Sequence, residues 1–337
     1  MAAELMRGDV LYRPSRFWRD LNEINHSQLR IAGFENFKRT INQNYFNWGP
    51  NSFEDNQLRN LLYRWHQTPN PTPILATLRG DFELRNMFNT NMLDSEDKAK
   101  IYAFFVGLLW WFTSLDDPMR LTERLSEPTV GNPVKIELGG RLISQDLANS
   151  IREHNTIRTF APAGETSRQT IMEIGAGYGR LAYVFQMASQ CTYVIFDIPP
   201  ALYLSERYLR TVLPQKRIFA FRPFKDFGEI SDELSKADIG FFSANQIALF
   251  PRDYFDIAIS VSALHEMRDE QIRHYLSRMC FLAKHIIYLK NWRRWHNSAD
   301  DVTITETTFE LPKPWLPGLD RTDEVQDLFS EKLYIRT

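Results

Sequence analysis

The chain has 337 residues, 43% of them hydrophobic and 24% charged, with 40 basic residues against 42 acidic ones and a formal net charge of −2. That length suits one large domain or two smaller ones with ample apolar mass for a core, and the balanced charge excludes a global field that would gather nucleic acid or an anionic membrane. The two cysteines, Cys191 and Cys280, make neither a disulfide framework nor a zinc spacing, which fits a reducing, cytoplasmic compartment.

Met1 to Ser15 carries Glu4 and Asp9 and lacks a long apolar run, so no signal peptide is expected. Arg16 to Ile24 and Ser52 to His66 read as amphipathic helices, and Pro69-Asn70-Pro71-Thr72-Pro73 then breaks the chain. Helical segments are expected near Ile74 to Leu78, Ser95 to Leu115 and Asp117 to Leu125. The most apolar stretch, Ile101 to Leu115, is short for a membrane span and reads as a buried helix. Pro128 to Gly140 contains two prolines and three glycines and marks a linker or turn region. Ser144 to Ile157 reads as a helix with Ser144 as its N-cap.

From about residue 168 the texture changes. Short β-like runs alternate with helical ones, the pattern of a doubly wound sheet. Strands are expected near 169–174, 192–197, 238–243, 255–260 and 284–290, and helices over 179–189, 200–213 and 268–282. A short strand at 217–221 leaves the identity of the third strand open. Val302-Thr303-Ile304-Thr305 and Leu333-Tyr334-Ile335 are expected to form a closing antiparallel pair. The predicted architecture is α/β, a doubly wound, mostly parallel, seven-stranded-type Rossmann-like sheet over 141–337, preceded by a helical region over 1–140.

The stretch Ile171-Met172-Glu173-Ile174-Gly175-Ala176-Gly177-Tyr178-Gly179-Arg180 carries the strongest functional signal. An apolar run ends near an acid, glycines alternate, and an apolar helix follows. A second acid, Asp197, closes the next apolar run, about 20 residues further on. A dinucleotide fingerprint needs a third glycine three residues after Gly177, so that helix and strand pack closely; Arg180 stands there instead. The spacing favours S-adenosylmethionine (SAM), with Glu173, Gly175, Ala176, Gly177 and Gly179 around the ligand and Asp197 accepting its ribose hydroxyls. Ile198 is placed to pack on adenine. Ser243 and Asn245 follow the third strand at the adenine edge, and Ser260 ends the Phe255-Asp256-Ile257-Ala258-Ile259-Ser260 strand beside the cleft. His265 and Glu266 come just after it, where catalytic groups are expected.

With these residues in view, the chain resembles class I SAM-dependent methyltransferases. Asp197-Ile198-Pro199-Pro200-Ala201-Leu202, Ser262-Ala263-Leu264-His265-Glu266-Met267 and Asn36-Phe37-Lys38-Arg39-Thr40-Ile41-Asn42-Gln43-Asn44-Tyr45-Phe46 are similar to segments of the sugar O-methyltransferase family within that class. The likeness runs from about residue 30 to the C-terminus. It implies a methyltransferase sheet, SAM as methyl donor, and a hydroxyl of a sugar or glycosylated small molecule as acceptor. It also implies a helical N-terminal region that serves as lid, acceptor pocket or dimer contact, compatible with a homo-oligomer.

Such a transfer is an in-line displacement aided by a general base. His265 is the first candidate, because an unperturbed imidazole titrates near neutrality; Glu266 is placed to orient it, to act as base itself, or to cap the next helix. Asn42 and Tyr45 share a helical face with Lys38, and amides and phenols suit sugar hydroxyls, although an ordinary packing helix reads the same way. Trp292 and Trp295 wall the acceptor or simply bury area. No ligand-spaced pair points to a metal, so a divalent ion is disfavoured without being excluded. A non-sugar oxygen or nitrogen acceptor, or a catalytically idle SAM-binding scaffold, fits the same motifs.

Overall fold

The computed structural model describes residues 1–39, 54–68, 78–81, 96–161 and 168–337. These divide into two compact units, Ile24–Thr156 and a second made of Met1–Glu23 with Ile157–Thr337. The first 23 residues therefore group with the sheet rather than with the helical region, and 141–156 group with the helical region. The reason for the former is apolar: Leu5 and Tyr12 are buried in the same core cluster as Ile174, Phe196 and Leu264.

In the unit Ile24–Thr156, helices Asp55–Gln67 and Glu96–Ser114 accompany a three-stranded antiparallel sheet, β1 (Leu78–Asp81), β2 (Lys135–Leu138) and β3 (Arg141–Ile143). Helix Glu96–Ser114 buries Phe105, Val106, Leu108, Leu109 and Trp110 in succession. An apolar surface on all sides belongs to a core helix, and among the described residues no helix is long and apolar enough to cross a membrane. Ser144 caps the helix Gln145–Phe160 as expected, its hydroxyl accepting from the Leu147 N–H at 3.0 Å. The stretch read as a linker or turn region holds the turn, made possible by Gly139 and Gly140 at φ +59° and +79°, and also the strand β2 that leads into it. Leu78, expected to close a helix, opens β1, and the helix expected over 117–125 is confined to Leu121–Arg124. Lys38 and Glu127 form a buried ion pair in this unit.

The other unit carries β4 (Gln169–Ile174), β5 (Cys191–Asp197), β6 (Ile218–Phe219), β7 (Ile239–Ser243), β8 (Phe255–Val261), β9 (Ala283–Trp292), β10 (Trp295–Asn297), β11 (Val302–Ile304), β12 (Trp315–Thr322) and β13 (Phe329–Arg336). Among the described residues, eight of these form one sheet in the order β12-β13-β9-β8-β4-β5-β7-β6. From β6 to β9 all pairings are parallel, and β13 runs antiparallel to both neighbours. This is the expected Rossmann-like, mostly parallel sheet of seven strands plus the two-residue β6, which sits outside β7 and so settles which segment is the third strand. β4, β5, β7 and β8 are nearly continuous apolar runs because both faces of a parallel sheet are covered. Helices Arg180–Ala188, Ala201–Val212 and Asp269–Leu282 make the crossovers.

The C-terminal expectation needs correction. Val302–Ile304 pairs with Trp295–Asn297 in a separate two-stranded sheet, and Leu333–Ile335 lies in β13, inserted between β9 and β12. Strand β12 escapes a sequence reading because Pro317 and Gly318 interrupt it; the proline is tolerated because β12 is an edge strand, irregular between Pro317 and Leu319.

Candidate functional site

The chain order reverses between β4 and β8, and ligands of open α/β sheets bind at the carboxyl ends beside such a switch point. There Gly175, Gly177 and Gly179 all have positive φ, at +74°, +59° and +88°. A Cβ at Gly175 would lie 2.4 Å from the Ala263 Cβ, and one at Gly179 would lie 2.7 Å from Leu209 Cδ1 on helix Ala201–Val212. The close packing that a dinucleotide fingerprint assigns to its third glycine is met here by Gly179, one residue before Arg180, against a different helix.

Asp197 ends β5 and turns back onto this loop. Its Oδ2 accepts from the Gly177 N–H at 3.1 Å, and its Oδ1 accepts from the Ile198 N–H at 2.7 Å. Burial pushes its carboxyl up to about 7, although the N–H groups of Ile198, Gly177 and Ala176 each stabilise the ionised form. Glu173 is buried on β4 and accepts from the Tyr193 hydroxyl at 2.9 Å. Ile198 is half-buried against the core cluster. Ser243 pairs in register with Asp197, and its N–H donates to Gln246 Oε1 at 2.9 Å. Asn245 follows, with Oδ1 buried and without a partner among the described residues. The hydroxyl of Ser260 donates to the Ile174 carbonyl at 3.2 Å, which commits it to tying β8 to β4.

At the end of β8 a single helical turn, Leu264–Glu266, holds both candidate catalytic groups. His265 is 2% exposed and Glu266 5% exposed. His265 Nδ1 lies 3.4 Å from Asn291 Oδ1, and Nε2 lies 3.8 Å from Glu266 Oε1. Burial drives both groups towards their neutral forms: it brings the imidazole down to about 3, opposed by the Asn291 contact, and pushes the Glu266 carboxyl well above its ordinary range. Glu266 Oε2 has no partner among the described residues. The imidazole is boxed by Trp292, Trp295 and Phe329 at ring-centroid distances of 5.9, 5.6 and 6.2 Å. Thus His265, Glu266, Trp292 and Trp295 come together, whereas Asn42 and Tyr45 lie outside the described residues.

Sequence reasoning missed the N-terminal segment as a wall of this site. A Cβ at Gly8 would stand 2.4 Å from the Asn245 Cβ, and Gln271 Nε2 donates to the carbonyls of Leu11 and Arg13, both at 2.9 Å. The Ser15 hydroxyl donates to the Glu266 carbonyl at 3.4 Å, and Phe17 packs edge-on to Trp295 at 5.5 Å. Asp300 accepts from the N–H groups of Arg16 and Phe17, at 2.9 and 3.1 Å, where the helix Arg16–Ala32 begins. Only the apolar Leu5 and Tyr12 hint at this in the sequence. Asn291 was also missed; a polar residue closing the buried run Ile286–Asn291 is its one signal.

Among the described residues no group of three His, Cys, Asp or Glu is gathered to hold a metal ion. No protein family model matches the sequence, and no curated protein matches it. Solved structures resemble part of the chain at low similarity. Magnesium protoporphyrin IX methyltransferase from Synechocystis PCC 6803 with bound SAM is 12% identical over 58% of this chain and 85% of that one, at a TM-score of 0.39. A SAM-dependent methyltransferase from Aquifex aeolicus is 10% identical over 66% and 96%, at 0.35. The 1,6-didemethyltoxoflavin-N1-methyltransferase from Burkholderia thailandensis with bound 1,6-didemethyltoxoflavin and S-adenosylhomocysteine is 13% identical over 57% and 79%, at 0.34.

Proposed function

We propose that the protein is a SAM-dependent methyltransferase acting on a hydroxyl of a small molecule, a sugar or glycoside. The observation that carries this reading is the Asp197 carboxylate held by the Gly177 N–H at the β4–β8 switch point, with Arg180 where a dinucleotide site requires glycine. The residues fit the donor. Gly175 and Gly177 allow the positive φ on which the loop turns, Asp197 offers two oxygens to ribose hydroxyls, and Ile198 and Asn245 suit adenine. SAM supplies an electrophilic methyl on a sulfonium. The chain's own task is to align the acceptor oxygen and take its proton, and His265, neutral and therefore holding a free lone pair, is the proposed acceptor of that proton. Glu266 lies beside it, with Oε1 3.8 Å from Nε2.

Calorimetry against SAM and NADH tests the donor. Incubation with methyl-labelled SAM and a panel of glycosides, followed by mass spectrometry, tests the acceptor. Binding of NADH without SAM would overturn the reading. The aromatic box of Trp292, Trp295 and Phe329 supports a second one, a flat non-sugar oxygen or nitrogen acceptor, and the same panel extended to aromatic compounds separates the two. The low basicity of His265 supports an idle SAM-binding scaffold, for which SAM binding without turnover on any acceptor is the signature.

A further inference from the structure

We infer that Asn291 is a positioning residue that holds His265 as the Nδ1–H tautomer and leaves Nε2 as the nitrogen able to take a proton. The inference rests on His265 being the base. A neutral imidazole has one donor and one acceptor nitrogen, and the partner of one ring nitrogen decides the role of the other.

The Asn291 carbonyl oxygen faces Nδ1 at 3.4 Å. A carbonyl oxygen only accepts, so the hydrogen resides on Nδ1. The other nitrogen, 3.8 Å from Glu266 Oε1, then carries the free lone pair. The carboxyl of Glu266, 3.8 Å from Nε2, stands beyond hydrogen-bond reach, so it imposes no competing tautomer and leaves the Nε2 lone pair open.

Two features hold this geometry. The ring is confined by Trp292, Trp295 and Phe329, so a flip that exchanges the nitrogens meets aromatic walls. The offset between the turn bearing His265 and the strand bearing Asn291 is pinned by the Ser262 N–H, which donates to the Lys290 carbonyl at 2.7 Å. On its other side β9 is held by the Ser330 hydroxyl, which donates to the Asn291 carbonyl at 3.3 Å. The Asn291 side-chain nitrogen is buried and has no partner among the described residues. The side chain therefore makes its one hydrogen bond to the imidazole.

The test is a long-range proton–nitrogen correlation spectrum of the full-length protein labelled with 15N-histidine, with His265 assigned by its absence in His265→Ala. Wild type should show a protonated Nδ1 and an unprotonated Nε2. Asn291→Leu removes the acceptor at similar volume and should shift His265 to the opposite or a mixed tautomer. It should also lower kcat at least about tenfold, bounded by the 10²–10⁴ that a general base supplies, with KM for SAM unchanged. The acceptor for that assay is whichever compound the labelled-SAM panel identifies. Asn291→Asp retains an accepting oxygen and should restore both the tautomer and most of kcat. A protonated Nε2 in wild type, or an unchanged tautomer in a folded Asn291→Leu, would overturn the inference. Full turnover by His265→Ala would instead remove His265 as base and leave the tautomer measurement standing, so the two failures are distinguishable.

Discussion

The two ends of the candidate cleft are built from different materials. At the β4–β5 edge the chemistry is mainly backbone: glycines with positive φ, and the N–H groups of Gly177 and Ile198 converging on one carboxylate. At the β8–β9 edge it is side chains: His265, Glu266 and Asn291, buried together, with Glu266 Oε2 and Asn291 Nδ2 lacking partners among the described residues. Buried polar atoms are normally satisfied, and leaving one unmade costs about 1–3 kcal/mol. The edge proposed for the donor leaves Asn245 Oδ1 open and the edge proposed for the acceptor leaves Glu266 Oε2 and Asn291 Nδ2 open, so each holds hydrogen-bonding capacity that a ligand would use.

The comparison breaks most severely at Gly175. A valine there adopts φ +74°, with a Cβ 2.4 Å from that of Ala263. The backbone conformation alone costs about 1–3 kcal/mol, and the clash adds to it, so calorimetry should find SAM affinity reduced by about 100-fold or more. At the other edge, His265→Ala should lower kcat by about 10²–10⁴ and leave the SAM dissociation constant unchanged; a matching loss of SAM affinity would erase the distinction between the edges.

Asp197 gives an intermediate effect with a pH signature. Its carboxyl, pushed up to about 7, must be ionised to accept ribose hydroxyls. A proton competes with the donor, and the SAM dissociation constant should rise about tenfold per unit below pH 7 and level off above it. Asp197→Asn should bind SAM about tenfold or more weakly, with no pH dependence between 6 and 8. The same shift acts on stability. The folded carboxyl holds its proton more tightly than the unfolded one, so this group's contribution falls as pH rises from about 4 to about 7.

The smallest effects belong to the aromatic wall. Trp292→Ala should raise the acceptor KM several-fold, in line with about 1 kcal/mol for an aromatic contact, and leave SAM binding intact; an equal rise in both would place Trp292 on the donor side. Excess chelator should leave turnover unchanged, and a loss reversed by a divalent ion would require ligands beyond those the described residues gather.

Much of the donor edge was legible because its determinants are local. The apolar runs of β4 and β5, the alternating glycines and the terminal Asp197 each report a backbone requirement within a few residues of themselves. Where a local signal misled, the cause was specific: Pro317 and Gly318 disguised β12. Residues 1–23 lack any motif, yet Leu5 and Tyr12 embed in the sheet's core and Ser15 reaches the turn that holds Glu266.

The sequence by itself determined the strand pattern, the glycine loop and its acidic partner, because φ preference and apolar periodicity act over a few neighbouring residues. Only the tertiary structure decided that His265 and Asn291 meet across the β8–β9 register, that burial drives His265 and Glu266 towards their neutral forms, and that the N-terminal segment packs against the turn that bears them. Contacts between residues as far apart as Ser15 and Glu266, and the desolvation that shifts a titratable group, exist only once the chain has packed.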